Sequence, residues 1–320
     1  MIKLSIIIPV FGVEDFVGKT LDSIFETSAP ADAFEVIVVN DGTKDRSMDV
    51  VRRFADRLNL RIFEQENQGL SAARNHGLEN AEGEYVWFID SDDCLVDDGV
   101  GKVLDLLAEK PGTDVLMFPL KWVYEDGTKD HLDYGIQEEK GMPGKMVLRD
   151  SGLPAWAAPR YVFKRSLTGN RFLSFPEGLL HEDEYFGPVL LYLAGTVCML
   201  KDPVYQYRIR QGSIMASKSS RSWYDMVSIH GELIRFGEKG VEPEDRAWFR
   251  TYCFERLLPV YKRNSRFYGA PEFHRFARTK GFYVWRYWLK ANPGKSLRNR
   301  FGRLLYFLFP DERQRLEGVK

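Results

Sequence analysis

Apolar positions change period repeatedly over the first hundred residues. Leu4–Val10 is a β-branched run of the kind that fills a buried strand, and Val13–Glu26 then places Val17, Leu21, Ile24 and Phe25 on one helical face. The alternation continues with a strand at Glu35–Asn40, a helix at Asp45–Leu58, a strand at Arg61–Glu64, a helix at Ser71–Asn80 and a strand at Glu84–Asp90. This order predicts an α/β fold, with a mainly parallel sheet and helices on both faces. Asp114–Phe118 and Thr196–Leu200 read as further strands, separated by a polar, glycine-rich stretch over Glu125–Gly144. After about Ala216 the strand signal fades and the pattern becomes helical, aromatic and basic. Two parts are therefore expected, an α/β domain over residues 1–215 and a helical region over 216–320.

Composition agrees with a folded chain. Its 320 residues are 44% hydrophobic and 28% charged, which allows a sizeable core and carries no signature of disorder. The net charge of -1 conceals a division, because residues 246–320 hold 18 Lys and Arg against 5 Asp and Glu. The acidic remainder suits a cation and phosphate site, and the basic end suits an anionic surface. Cys94, Cys198 and Cys253 form neither a CxxC pattern nor an even disulfide set, so a reducing cytoplasm is the expected setting. The N-terminal apolar run is too short for a signal peptide, and no stretch reaches the roughly 18 apolar residues of a spanning helix. Gly187–Leu200 comes nearest and reads as a buried helix running into a strand.

Four constellations carry chemistry. Tyr85-Val86-Trp87-Phe88-Ile89 is an apolar run ending in Asp90, Asp92 and Asp93. Carboxylates crowded at a strand end repel one another unless a cation meets them, and strand ends are where open α/β sheets hold ligands. Asp41, at the tip of the second strand beside Gly42, either caps a turn or accepts a hydrogen bond from a uracil ring. Phe11, just past Pro9 at the end of the first strand, either joins the core or lies flat on a base. In Gly69-Leu70-Ser71-Ala72-Ala73-Arg74-Asn75, Ser71 is placed to cap a helix whose first turn projects Arg74 toward a diphosphate, toward solvent or toward a carboxylate. His181-Glu182-Asp183-Glu184 opens another helix, as dipole partners or as a general base. The later loop Tyr207-Arg208-Ile209-Arg210-Gln211-Gly212-Ser213 offers two cations for phosphate. Gly99-Val100-Gly101-Lys102 is no P-loop, and no GxGxxG follows a strand.

The order of these groups resembles the family 2 glycosyltransferases with the GT-A fold over about residues 3–215. Ile6–Phe11 is similar to their opening strand, Val38–Thr43 to their nucleotide-binding aspartate motif, Gly69–Asn75 to their helix before the metal motif, Asp90-Ser91-Asp92-Asp93 to their DXD motif, and Glu182-Asp183 to their catalytic pair. The resemblance implies a Rossmann-like sheet flanked by helices, a UDP-sugar donor, Mn2+ or Mg2+, and inversion at the anomeric carbon. Carried over, Pro9, Phe11, Asp41, Arg74 and Asp90 would line the donor site, with Asp41 on uracil and Asp90 on ribose or sugar. Asp92 with Asp90 would hold the metal, Asp183 would be the base, and Glu182 would orient its surroundings. Gly12 stands where the family often has asparagine, and the QxxRW motif of processive synthases is missing, which disfavours a chain extruder.

The basic end interleaves Phe267, Tyr268, Trp285 and Trp288 with Arg266, Arg275 and Arg286, and residues 296–309 have an amphipathic pattern. Peripheral attachment to the inner face of the cell membrane, near a glycan or lipid-linked saccharide acceptor, is one expectation, and a core helix with a basic face is the other. No recognition motif for nucleic acid accompanies the charge. A nucleotidyltransferase would need a basic, glycine-rich phosphate loop after the first strand, whereas Gly12-Val13-Glu14-Asp15 is acidic. A catalytically silent sugar-nucleotide-binding protein would have no need of both acidic pairs.

Overall fold

The computed structural model describes residues 2–124, 130–134, 140–209 and 220–263. The chain divides into two compact units, Met1–Lys218 and Ser219–Lys320. In the first unit the order is β1 (Leu4–Val10), α1 (Val17–Phe25), β2 (Phe34–Asn40), α2 (Ser47–Arg52), β3 (Leu60–Glu64), α3 (Leu70–Glu79), β4 (Tyr85–Phe88), β5 (Cys94–Leu95) and α4 (Gly99–Glu109). There follow β6 (Val115–Met117), β7 (Leu120–Tyr124), β8 (His131–Leu132), β9 (Lys140–Met142), α5 (Gly144–Asp150), β10 (Tyr161–Lys164), α6 (Asp183–Leu193), β11 (Val197–Met199) and β12 (Tyr205–Ile209). The second unit contains α7 (Ser220–Lys239) and α8 (Arg246–Arg263), which meet through Phe236 and Phe249. Among the described residues, no helix is long and apolar enough to cross a membrane.

Eight strands form the main sheet in the order β3-β2-β1-β4-β10-β6-β11-β9. The first four are parallel, β10 runs against both of its neighbours, and β9 is antiparallel at the far edge. The expected mainly parallel sheet is thus present, with helices on both faces. Leu4, Ile6, Ile8 and Val10 are buried with Val17, Leu21 and Ile24 of α1 and Val100, Val103 and Leu107 of α4. Ile7 points the other way onto α3, where a Cβ on Gly77 would come within 2.3 Å of it. β4 divides in the same manner. Tyr85 and Trp87 join the first face, while Phe88 meets Phe163, Phe175 and Phe186 on the second at centroid separations of 5.0 to 5.9 Å.

A second sheet, β5-β12-β7-β8, was not expected from the pattern. Its strands are two to five residues long, too short to show a period, and its central pair β7 and β12 comes from distant stretches. Helix α2 is shorter than the pattern suggested. Past Arg52 the backbone tightens to bonds between residues three apart, from Phe54 to Val51 and from Ala55 to Arg52. Helix α1 begins four residues late, after a turn in which Phe16 and Val17 both bond to the Val13 carbonyl. The apolar basic stretch 266–309 and the loop 210–213 lie outside the described residues.

Helix α6 lies close against the segment that precedes β10. A Cβ on Gly187 would stand 1.7 Å from the Ala155 carbonyl oxygen, a backbone atom that cannot swing aside. Gly187→Ala is expected to lower stability by about 1–3 kcal/mol, seen as a fall in the urea midpoint. An unchanged midpoint would contradict this contact.

Candidate active site

The carboxyl ends of β1, β2 and β4 lie side by side. Ile89 N–H bonds to the Ile7 carbonyl, so by alternation the nitrogen of Pro9 also faces the β4 side. Proline has no N–H to give, and β1 and β4 stay paired only from Leu4 to Ile7. The strands are therefore released from each other where Asp90 begins. Phe11, just past β1, is 53% exposed, which leaves its ring available to a ligand. Asp41 is buried and accepts from Gln65 Nε2 at 2.8 Å, Gln68 N–H at 2.8 Å and Gly69 N–H at 2.9 Å. It thereby shapes the turn that launches α3.

That helix starts at Leu70 with Gly69 before it, so Ser71 lies inside the first turn and does not cap it. Arg74 is 2% exposed and does not reach into solvent. Its Nη2 donates to Asp90 Oδ1 and its Nη1 to Glu182 Oε1, each at 2.6 Å. The Phe175 ring lies 5.1 Å from the guanidinium carbon. Of its three sequence readings, the carboxylate partner is the one observed. Burial disfavours the charged guanidinium, but Asp90 and Glu182 outweigh that and raise its pKa.

Residues 90–93 form a turn closed by Asp93 N–H to the Asp90 carbonyl. From one side, Thr20 of α1 donates its hydroxyl to the carbonyls of Ser91 and Asp93. From the other, β12 holds the Asp93 side chain through Tyr205 Oη at 2.6 Å and Arg208 N–H at 2.7 Å, while Arg208 Nε donates to the Asp92 carbonyl. Arg208 thus braces this turn, and Asp93 faces inward, its pKa pushed well up by burial and then by Asp90 and Asp92. Asp92 remains half-buried at the turn.

Glu182 and Asp183 open α6. Asp183 Oδ2 accepts from the Ala157 N–H at 3.0 Å. Ala157 and His181 both have left-handed backbone, at φ 71° and 66°, uncommon for residues with a side chain. Burial pushes the Glu182 carboxyl up to about 7 against the pull of Arg74, with Asp183 adding to the rise. Asp183 is raised by burial and by Glu184. The Tyr207 phenol is likewise pushed up by burial and then by the charges of Asp90, Asp93, Asp183 and Asp92, so it borders the same site. Ala157 and Tyr205 carry no sequence signal of a role. Their parts are played by backbone geometry and by a partner about a hundred residues away.

Among the described residues, no three His, Cys, Asp or Glu side chains form a ready metal cage. A magnesium-type ion commonly takes one or two carboxylates and completes its shell with substrate phosphates and water. Asp92, with Asp90 beside it, offers that number of hard oxygen donors, so the residues present fit such an ion.

The profile described as Glycosyl transferase family 2 matches residues 5–168. Putative glycosyltransferase EpsH of Bacillus subtilis (strain 168) is 31% identical over 218 residues, 66% of this chain and 62% of EpsH. Poly(ribitol-phosphate) beta-N-acetylglucosaminyltransferase TarS of Staphylococcus aureus (strain Mu50 / ATCC 700699) is 27% identical over 235 residues, 72% of this chain and 40% of TarS. The chain spans less than two thirds of either relative's length. The crystal structure of S. aureus TarS 1–349 in complex with UDP-GlcNAc matches with a TM-score of 0.63 at 22% identity, covering 91% of both chains. Mannosyltransferase PcManGT from Pyrobaculum calidifontis, in complex with GDP-Man and Mn2+, matches with a TM-score of 0.53 at 19% identity, covering 97% of this chain and 88% of the other. The fold is the GT-A fold.

The raised Glu182 carboxyl sets a direction for stability. Between its ordinary value of 4.5 and about 7 the unfolded chain has lost this proton while the folded chain keeps it. The folded state binds more protons there, so its stability falls as pH rises through that interval. Glu182→Gln, which has no proton to lose, is expected to flatten the decline in chemical denaturation series at pH 5, 6 and 7. An equal slope in both proteins would show that Glu182 titrates normally.

Proposed function

The chain belongs to glycosyl transferase family 2, and from that membership we propose that it is an inverting, metal-dependent glycosyltransferase that moves a sugar from a UDP-sugar to an acceptor hydroxyl in cell-surface glycan synthesis. The observation that carries this reading is the meeting of Asp90 and Glu182 on Arg74, with Asp183 next along α6. It brings a strand-end set for a donor and a helix-start set for a base into one place. The UDP-GlcNAc complex of TarS supports the choice of uridine donor, and the Mn2+ in the PcManGT complex supports a metal.

Phe11 would lie against the base beyond Pro9. Asp41 would accept the uracil N3–H, for which a carboxylate has lone-pair capacity beyond its three present bonds. Asp90 would contact the ribose or donor sugar, and Asp92 with Asp90 would hold a divalent ion, which when bound supplies neutralising charge to the departing diphosphate. Asp183 would take the acceptor proton, its carboxyl raised by burial and by Glu184 and its direction set by the Ala157 amide. Glu182, held by Arg74, keeps the start of α6 aligned with the strand end. With Asp183 as base on the face opposite the leaving group, a single displacement would invert the anomeric carbon.

Asp183→Asn is expected to retain UDP-sugar binding by calorimetry and to lose roughly 10²- to 10⁴-fold in turnover. Asp92→Ala is expected to lose the gain in donor affinity that Mn2+ gives the wild type. Near-normal turnover in the first variant would remove Asp183 as base, and a retained Mn2+ effect in the second would remove Asp92 as ligand.

The basic sequence near the C-terminus supports peripheral contact with an anionic membrane, where a lipid-linked acceptor would be met. Full-length protein with Arg298, Arg300 and Arg303 changed to Glu is expected to co-sediment less with phosphatidylglycerol vesicles than the wild type. Equal co-sedimentation would argue against this role.

A further inference from the structure

A row of aromatic side chains on the small sheet has no part in the donor assignment above. His131, Trp122 and Tyr207 stand directly opposite one another on β8, β7 and β12, so their side chains share one face. The Trp122 ring lies 5.4 Å from His131, 5.5 Å from Tyr207 and 6.3 Å from Trp156. Trp122, Trp156 and Tyr207 pack on the core yet keep part of their surface exposed, and His131 is exposed. The row meets the carboxylate site at two points. Trp156 adjoins Ala157, whose N–H holds Asp183, and Tyr207 adjoins Arg208, which holds the turn of Asp92 and Asp93.

We infer that Trp156, Trp122 and Tyr207 form the acceptor subsite, and that its occupant is a ring saccharide whose C–H face stacks on this aromatic wall. The inference rests on the transferase reading, since it takes Asp183 as the base. The acceptor oxygen gives its proton to Asp183 and bonds to the anomeric carbon, while the bond to the β-phosphate breaks and its electron pair leaves on UDP. The body of the acceptor must therefore lie on a surface continuous with Asp183. Toward Arg74 that carboxylate faces a guanidinium already committed to two ion pairs. Along Ala157 and Trp156 it adjoins the aromatic row.

The chemistry of the row selects a neutral ring. A pyranose carries hydroxyls on its rim and C–H groups on its face, and an aromatic surface binds that face without supplying charge. A phosphate-rich occupant would need cations. Among the described residues, the cations beside the row are engaged elsewhere: Arg160, 5.4 Å from the Trp156 ring, is fully buried and bonded to Asp133, Lys121 pairs with Asp130, and Arg208 donates to the Asp92 carbonyl.

UDP release by the full-length protein is measured with UDP-sugar and Mn2+, adding cello-, malto- and chito-oligosaccharides or, as open-chain controls, glycerol and ribitol. A ring saccharide is expected to raise release above the rate with water. Trp156→Ala and Tyr207→Leu are each expected to raise its KM about tenfold, with the donor KM moving less than about twofold and Trp156→Phe restoring most of the affinity. If Trp156→Ala fails to fold by circular dichroism, Tyr207→Leu and Trp156→Phe carry the comparison. Unchanged acceptor KM, stimulation by open-chain polyols alone, or no stimulation of a wild type that still hydrolyses donor would each overturn the subsite and leave the transferase reading standing. No UDP release from any UDP-sugar would overturn the transferase reading itself, and the subsite with it.

Discussion

The Arg74 guanidinium ties Asp90 to Glu182, a residue 108 positions beyond the arginine itself, and the arrangement of the site depends on it. A buried charge must be paired, and removing one partner of such a pair typically costs about 3–5 kcal/mol. Here the pairing is forked, with one arm on Asp90 at the end of β4 and the other on Glu182 at the start of α6. A lysine in this position would bring a point charge without the planar fork that spans both carboxylates. Neither the strand end nor the helix start is free to shift alone. The cost of gathering acidic side chains in one place is met by a cation whose guanidinium lies over the Phe175 ring.

The same constraint spreads outward through Asp93. Its side chain is tied to Tyr205 and to the Arg208 N–H, while Thr20 grips the carbonyls on either side of Asp92. The turn is thus held by a helix on one flank and by the small sheet on the other. The carboxylate proposed to meet a ligand is held by this bracing without the ligand's help, which is the physical content of a preorganised site. The three aspartates of the cluster divide the work. Asp90 is bonded to the cation, Asp93 to the scaffold, and Asp92 stands at the turn between them.

Much of the first unit was legible in the chain because its strands are long and its periods clean. Leu4–Val10 and the alternation through Phe88 carried the sheet, and the acidic ends of β4 and α6 announced themselves as departures from apolar runs. Three features were hidden for identifiable reasons. The small sheet pairs β7 with β12, so no local pattern records it. The Ala157 amide acts through its backbone, and alanine says nothing of a left-handed φ. Arg74 was visible as a cation beside a strand end, but its second partner is fixed only by tertiary packing. Ser71 misled, because a residue with cap chemistry stands two positions inside a helix that starts from Gly69.

The position of β10 in the main sheet bears on how the chain is made. It lies between β4 and β6, antiparallel to both, though both precede it in sequence. While the protein emerges from the ribosome, β1 to β4 have everything they need to pair, yet the outer edge of β4 stays without a neighbour until Lys164 has been synthesised. That edge is apolar and open, the condition in which nascent strands find wrong partners. β10 is also the strand that carries Phe163 against Phe88, so its insertion closes that edge and begins to cover the second face, which Phe175 and Phe186 complete later.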